Sequence, residues 1–267
     1  MKDDLSLKSF DDLDGVRDLG TYVRALEAFD GIPQLQELKS IARAAITPGA
    51  SVLDVGCGFG LETERLALAA GPGGHVAGID KSAGFIAEAR RRAAAAGLTI
   101  DYRSGEAQNL PYADATFDVV RAERLLIYLE DWERAVTEMI RVAKPGGALA
   151  FIEPEFDTTT VNLADRPVVR RVMAHEADTA VVQGWLPGPL SAALADLRVN
   201  DVQVSTRVVV FPQDLAATYF SDTARHAAAD GKISAAELAA WLSGIADLHE
   251  RGRLFGSVSY FLFTARR

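Results

Sequence analysis

The run Val52-Leu53-Asp54-Val55-Gly56-Cys57-Gly58-Phe59-Gly60 limits what this chain can fold into more than any other. Ser51 to Val55 is apolar enough to read as a buried strand, and it breaks into three closely spaced glycines before a helical pattern starts at Leu61. Glycines at such a turn let the backbone take positive φ and approach a ligand closely, while the helix start presents unpaired N–H groups.

Downstream of the turn, strand and helix alternate. Leu61 to Ala70 reads as a helix stopped at Gly71-Pro72-Gly73-Gly74, and His75 to Asp80 as a second strand. Ser82 is placed to cap a helix with Phe85, Ile86, Ala89 and Ala93 on its inward face, closed by Gly97. Thr99 to Arg103 and Phe117 to Ala122 read as further strands, Trp132 to Ala143 as a helix, and Ala148 to Glu153 as a fifth strand. Such alternation implies right-handed crossovers and a parallel sheet with helices on both faces. Ahead of this region, 21–46 is helical in two pieces broken at Gly31, with Pro33 in the first turn of the second. Beyond Pro154 the pattern changes: helices over 168–182 and 189–197, a strand over 202–211, a helical insertion over 213–254 and a last strand over 258–263.

Composition removes whole classes of function. Lys and Arg number 28 against 37 Asp and Glu, a formal charge of −9, and that field repels nucleic acid and anionic membranes. The densest basic run, Arg90-Arg91-Arg92, falls inside an expected helix. Cys57 is the single cysteine, so neither an intrachain disulfide nor a cysteine-based zinc cluster can form, and a reducing cytoplasm is the expected location. Met1 to Phe10 carries Lys2, Asp3, Asp4 and Lys8, unlike the apolar centre of a signal peptide, and no uncharged apolar stretch nears the ~18 residues of a membrane span.

Three elements converge on ligand chemistry. A dinucleotide fingerprint needs glycine where Leu61 stands, so the glycine turn disfavours NAD. Asp80 lies at the tip of the second strand, where a carboxylate accepts ribose hydroxyls or simply leads the helix behind Ser82. In Ser104-Gly105-Glu106-Ala107-Gln108-Asn109-Leu110-Pro111, Glu106 is able to accept from an exocyclic amine and the Ala107 N–H to donate to a ring nitrogen, unless the segment is a solvated turn.

With these motifs in place, the chain resembles the class I S-adenosylmethionine-dependent methyltransferases, in the small-molecule branch that includes ubiquinone/menaquinone-type and natural-product enzymes. VLDVGCGFG matches the first motif, GID the second-strand acid, GEAQNLPYADATFDVV the adenine-proximal segment and RVAKPGGALAFIEP the entry to the fifth strand, over about Ser51 to Pro154. The resemblance implies a Rossmann-like, seven-stranded, mostly parallel sheet with an antiparallel last strand, helices on both faces and helical cap insertions. It implies one domain over 1–267: cap helices in 1–50, a cofactor core in 51–154, and insertions 155–200 and 212–255 on the acceptor side. By the same carry-over S-adenosyl-L-methionine is the cofactor. Gly56, Cys57, Gly58 and Gly60 would contact its methionine part, Asp80 the ribose, and Glu106 with Ala107 the adenine; Asp54, Lys81, Arg121 and Tyr22, the last on a helix that in this family often folds over the cofactor, complete the expected cofactor-binding set. Glu106 stands where this branch usually has aspartate.

Other candidates rest on position alone. Arg121 follows the fourth strand at the ligand rim, as a carboxylate clamp or a solvated helix start; Arg124 is less favoured, and Tyr22 and Arg24 lie on the first helix. Glu153, at the end of the fifth strand beside Pro154 and Glu155, is the leading residue for touching acceptor; His175 and His226 are alternative general bases or plain exposed residues. His75 reads as a surface turn residue, and no partner for His249 is evident. Asp230-Gly231-Lys232-Ile233 and Glu237 imitate half of a calcium loop, but His226 and Ala228 would occupy ligand positions that need oxygen, so Ser234 with Glu237 reads as a helix capping box and no metal is expected. Two readings of function remain: transfer of the sulfonium methyl to an oxygen, nitrogen or carbon of a small, largely apolar molecule, or a cofactor-binding protein of the same fold, cyclase or regulator, that does not methylate. Trp185, Tyr219, Phe220 and Trp241 punctuate the insertions, some expected to pack the helices onto the sheet and the rest to line a pocket for the acceptor.

Overall fold

The computed structural model describes residues 19–267, with the side chains of 19–22 and 25 outside the description. The segment Met1 to Phe10 lies outside the described residues, as does the side chain of Tyr22. Two helices, α1 (Leu19–Asp30) and α2 (Pro33–Arg43), precede β1 (Ser51–Val55), α3 (Leu61–Ala70), β2 (His75–Asp80), α4 (Ala83–Ala95), β3 (Asp101–Ser104) and β4 (Phe117–Glu123). A 3-10 turn, Leu126–Tyr128, leads to α5 (Trp132–Val142) and β5 (Ala143–Val161). Then come α6 (Arg166–Thr179), α7 (Pro187–Asp196), β6 (Asn200–Val210), α8 (Gln213–Ala229), α9 (Ala235–Glu250) and β7 (Gly256–Arg266).

The seven strands form one sheet in the order β3-β2-β1-β4-β5-β7-β6. β1 pairs in parallel with β2 on one side and β4 on the other, so the chain reverses its direction of travel across the sheet at β1 and β4 and leaves a crevice there. β7 is antiparallel to both β5 and β6.

The helices form where local signals place them. Ser82 accepts the Phe85 N–H at the start of α4, Asp131 accepts the Arg134 N–H at α5, and the Ser234–Glu237 capping box opens α9. In α5, Trp132, Ala135, Val136, Met139 and Val142 recur at helical spacing and are all buried. They pack with Phe117, Phe151, Leu190 and Leu194 on one face of the sheet. The other face carries Leu35 and Leu38 of α2, Val172 of α6, Phe220 of α8 and Trp241 of α9 over Ile152, Val258 and Leu262.

Several boundaries differ from expectation, those of β5 and β7 the most, since β5 already starts at Ala143 and β7 spans Gly256–Arg266. β3 starts at Asp101 rather than Thr99, because pairing with β2 begins only where Ala77 meets Asp101. β5 does not stop near Glu153 but continues through Pro154 to Val161. Pairing with β4 ends at Ile152, so Pro154 sits where that flank is already vacant and its missing N–H costs no ladder bond there. Helix α6 ends at Thr179, short of Val182. Among the described residues no helix is long and apolar enough to cross a membrane, and no His/Cys/Asp/Glu group is arranged to hold a metal.

Candidate functional site

The glycine turn after β1 divides its labour. Gly56, Gly58 and Gly60 have φ of 71°, 53° and 87°. A Cβ on Gly56 would lie 2.9 Å from the Leu125 side chain, and one on Gly60 would lie 2.3 Å from the Tyr102 hydroxyl oxygen. Above Gly58 the nearest atom, on Phe85, is 4.0 Å away, so this glycine faces open space that a ligand is able to enter. The turn is tied to β2: Gly56 and Cys57 donate to the Ile79 carbonyl at 2.8 and 3.0 Å. Asp80 Oδ2 accepts the Gly58 N–H and Oδ1 the Ser82 N–H, each at 2.9 Å. Asp80 thus holds both the turn and the start of α4.

This turn forms one end of a cavity of ≈ 290 Å³. Asp54, Gly56, Cys57, Gly58, Asp80 and Lys81 line that end, and the segment after β3 adds Glu106 and Ala107. Gly60 is off the wall, serving as the left-handed N-cap of α3. Burial, with Asp54 and Asp80 nearby, pushes the Cys57 thiol well above its ordinary range, so it stays protonated at neutral pH. The opposite end is aromatic. Phe29 of α1 packs against Tyr260 of β7 and Phe211 with ring centroids 5.9 and 6.2 Å apart, and Phe211 stacks on Tyr219 of α8 at 5.2 Å.

Between the two ends lies a buried charge cluster on β4. Arg121, 3% exposed, donates to Asp54 at 2.9 Å and to Glu123 at 2.7 Å, and Lys39 reaches Glu123 at 2.9 Å. Lys39 also pairs with Asp30, which Arg65 holds at 2.7 Å. Burial alone would raise the Glu123 carboxyl, but Lys39, Arg121 and Arg124 together hold it well below the usual range. Burial raises Asp54 despite Arg121 and the Thr63 hydroxyl that donates to it at 2.7 Å. Removing any one partner would strand a charge in low dielectric, so each member depends on the others.

The structure sorts the candidate residues. Arg121 is on the cavity wall in β4, though its guanidinium already serves Asp54 and Glu123; it is no solvated helix start. Of the three candidates for general base or acceptor contact, only His226 lines the cavity. Glu153 is fully buried off the wall, accepting the Leu125 and Leu126 N–H groups at 3.1 and 2.9 Å. Burial pushes its carboxyl up to about 8 against those two bonds, which makes it a neutral brace under the 3-10 turn. His175 is likewise buried, its Nε2 3.0 Å from Asp230 Oδ2, rather than exposed. Of the four expected aromatics, Tyr219 lines the cavity; Phe220 and Trp241 are core residues joined by the Trp241 indole N–H to the Phe220 carbonyl, and Trp185 is 47% exposed. Sequence reading missed Lys39, Glu123, Phe29 and Tyr260. One signal was present for Glu123: Arg121 and Glu123 alternate along a central strand, and charges on one face of a buried strand must be paired.

Comparison with known proteins adds to this geometry. A family model described as a methyltransferase domain matches residues 53–151. An uncharacterized 37.1 kDa protein of transposon TN4556 from Streptomyces fradiae is 31% identical over 82% of this chain and 63% of its own length. A demethylmenaquinone methyltransferase of Shouchella clausii is 37% identical over 51% of this chain and 60% of its own. The chain thus spans about 60% of the length of these relatives. Among solved structures the [4+2]-cyclase SpnF shares the fold at a TM-score of 0.54 and 24% identity, covering 87% of this chain and 80% of that one.

Proposed function

We propose that the chain carries a class I S-adenosylmethionine-dependent methyltransferase domain of the small-molecule branch and that it moves the cofactor's methyl group to a small, largely apolar acceptor. The observation that carries this reading is a cavity whose polar end is the glycine turn with Asp80, Glu106 and Ala107, and whose other end is aromatic. The residues suit the cofactor: open space over Gly58 admits its backbone-like part, Asp80 puts a carboxylate on the wall where hydroxyls can be accepted, and Glu106 stands ready for an amine. When bound, the cofactor supplies an electrophilic sulfonium methyl. The protein's own part is to hold the acceptor in line and exclude water, which the packed rings of Phe29, Phe211, Tyr219 and Tyr260 do. His226 is placed to take a proton from an acceptor that must lose one. We place the acceptor side in α1, the segment after Glu153 and helices α8 and α9, within a single domain.

The test is incubation of the purified protein with methyl-labelled S-adenosylmethionine and a panel of ring-bearing small molecules. Label in an acceptor matched by released S-adenosylhomocysteine supports the reading. Binding of the cofactor with no release on any acceptor favours the non-methylating alternative, and tight NAD binding without response to the sulfonium cofactor overturns both.

A further inference from the structure

Arg124, the first residue beyond β4, departs from the rest of the charge cluster. Its φ is 48°, in the left-handed region that residues other than glycine seldom enter, and its N–H donates to the Ile152 carbonyl at 2.9 Å. Strained backbone of this kind collects where a side chain has to be aimed. The side chain is aimed at the cavity, which it lines, with its guanidinium carbon 4.8 Å from the centre of the Phe29 ring. Tyr128 and Tyr260 are also among its neighbours, so it belongs to the aromatic half rather than to the glycine turn.

Among the described residues, the ion-pair cluster it belongs to has one cation in excess. The ion pairs about Lys39 and Arg121 link five cations, Lys39, Arg43, Arg65, Arg121 and Arg124, to four carboxylates, Asp30, Asp54, Glu62 and Glu123. Glu123 is already taken at 2.9 and 2.7 Å by Lys39 and Arg121, leaving Arg124 a contact of 3.6 Å. Arg124 Nε is buried and makes no hydrogen bond. Burial pushes the carboxyl of Glu153, close by, up to about 8, so at neutral pH it is mostly protonated and a weak counter-charge. The acids across the cavity are engaged: Tyr219 bonds to Glu176, and Arg225 donates to Asp222 at 2.6 Å. A half-buried guanidinium whose buried Nε is an unused donor, set among rings, is a receptor for a planar anion.

We propose that Arg124 selects the acceptor by pairing with an ionised oxygen, that of a carboxylate or of an acidic phenol or enol, on a flat and otherwise apolar molecule. This rests on the methyltransferase reading of the cavity. The acceptor is then defined by one negative oxygen at the waist of the cavity and a ring system against Phe29 and Tyr260, while a cationic amine is excluded.

Three naphthalene probes of one shape test it on protein saturated with S-adenosylhomocysteine: 2-naphthoate, neutral 2-naphthamide and cationic 2-naphthylmethylammonium. Wild type should bind naphthoate about tenfold or more tightly than naphthamide, with the ammonium weakest. Asparagine tolerates the left-handed backbone, so Arg124→Asn removes the cation without adding strain. That variant should bind the three alike, Arg124→Lys should keep part of the preference, and both should bind S-adenosylhomocysteine as wild type does. The wild-type ranking needs no variant to fold. Absent naphthoate binding, equal binding of naphthamide, or a preference for the ammonium each overturns the proposal. So does a tenfold loss of S-adenosylhomocysteine affinity in Arg124→Asn, which would give Arg124 to the cofactor's carboxylate. Failure of wild type to bind S-adenosylhomocysteine at all strikes instead at the methyltransferase reading.

Discussion

Replacing Asp80 by asparagine separates its two duties. The carboxylate accepts the Gly58 and Ser82 N–H groups on different oxygens, each at 2.9 Å. An amide offers one acceptor, so one of those N–H groups must face an NH2, and a hydrogen bond to a charged acceptor is lost at about 1.5–3 kcal/mol. Half-exposure of the site favours the lower figure, so the unliganded protein should lose about 1.5 kcal/mol in urea unfolding, with an unchanged m-value. Cofactor binding bears a separate penalty. An amide accepts from one ribose hydroxyl where a carboxylate accepts from two, and the weakened turn must be re-formed on binding. Loss of one charge-assisted bond predicts a Kd for S-adenosylhomocysteine raised about 10- to 100-fold in calorimetric titration. A variant that loses stability yet binds within about twofold of wild type would falsify the ribose role and leave Asp80 as a turn-former alone. If stability also stays unchanged, the bonds to the Gly58 and Ser82 N–H groups do not hold the turn either.

Two further outcomes test the surroundings of the site. Gly60→Ala forces a Cβ to 2.3 Å from the Tyr102 hydroxyl in a residue at φ 87°, and should cost about 2 kcal/mol or more in urea unfolding, since crowding and a left-handed backbone add. Glu153 has its carboxyl raised from 4.5 to about 8 in the folded protein, so from pH 4.5 upward the unfolded chain ionises first and the folded state holds one proton more. Stability is full below that range and falls as pH rises through it, by up to about 1.4 kcal/mol per pH unit, and Glu153→Gln should flatten that slope when thermal unfolding is followed from pH 5 to 8.

Local punctuation made much of the core legible. Pro48-Gly49, the glycine turn and Gly71-Pro72-Gly73-Gly74 bracket β1, α3 and β2 so tightly that their expected and observed limits coincide. The same signals misled at Pro154. Whether proline ends a strand depends on which flank is already paired, and that is decided by how far β4 runs alongside. The polar end of the cavity was readable because each part follows a strand in succession. The aromatic end was not: Phe29, Phe211 and Tyr260 come from segments far apart in the chain, and only the order of the sheet brings them together. Glu153 shows the limit of position as a guide. It stands at the expected edge, but its neighbours alternate between the two faces of the sheet, and its own side points behind the wall, to the backbone of Leu125 and Leu126.

The place of β7 has a consequence for biosynthesis. A ribosome releases β6 before β7, yet among the described residues β6 pairs only with β7, which itself lies between β5 and β6. While α8 and α9 are being made, the eleven residues of β6 have no ladder partner, and Val202, Val204 and Val208 remain on an exposed face even after folding. For that interval the nascent chain displays an unpaired, valine-rich strand, the kind of edge through which neighbouring chains on a polysome associate. Interrupting translation within β7 would orphan β6 as well, so the sheet would lose two strands rather than one.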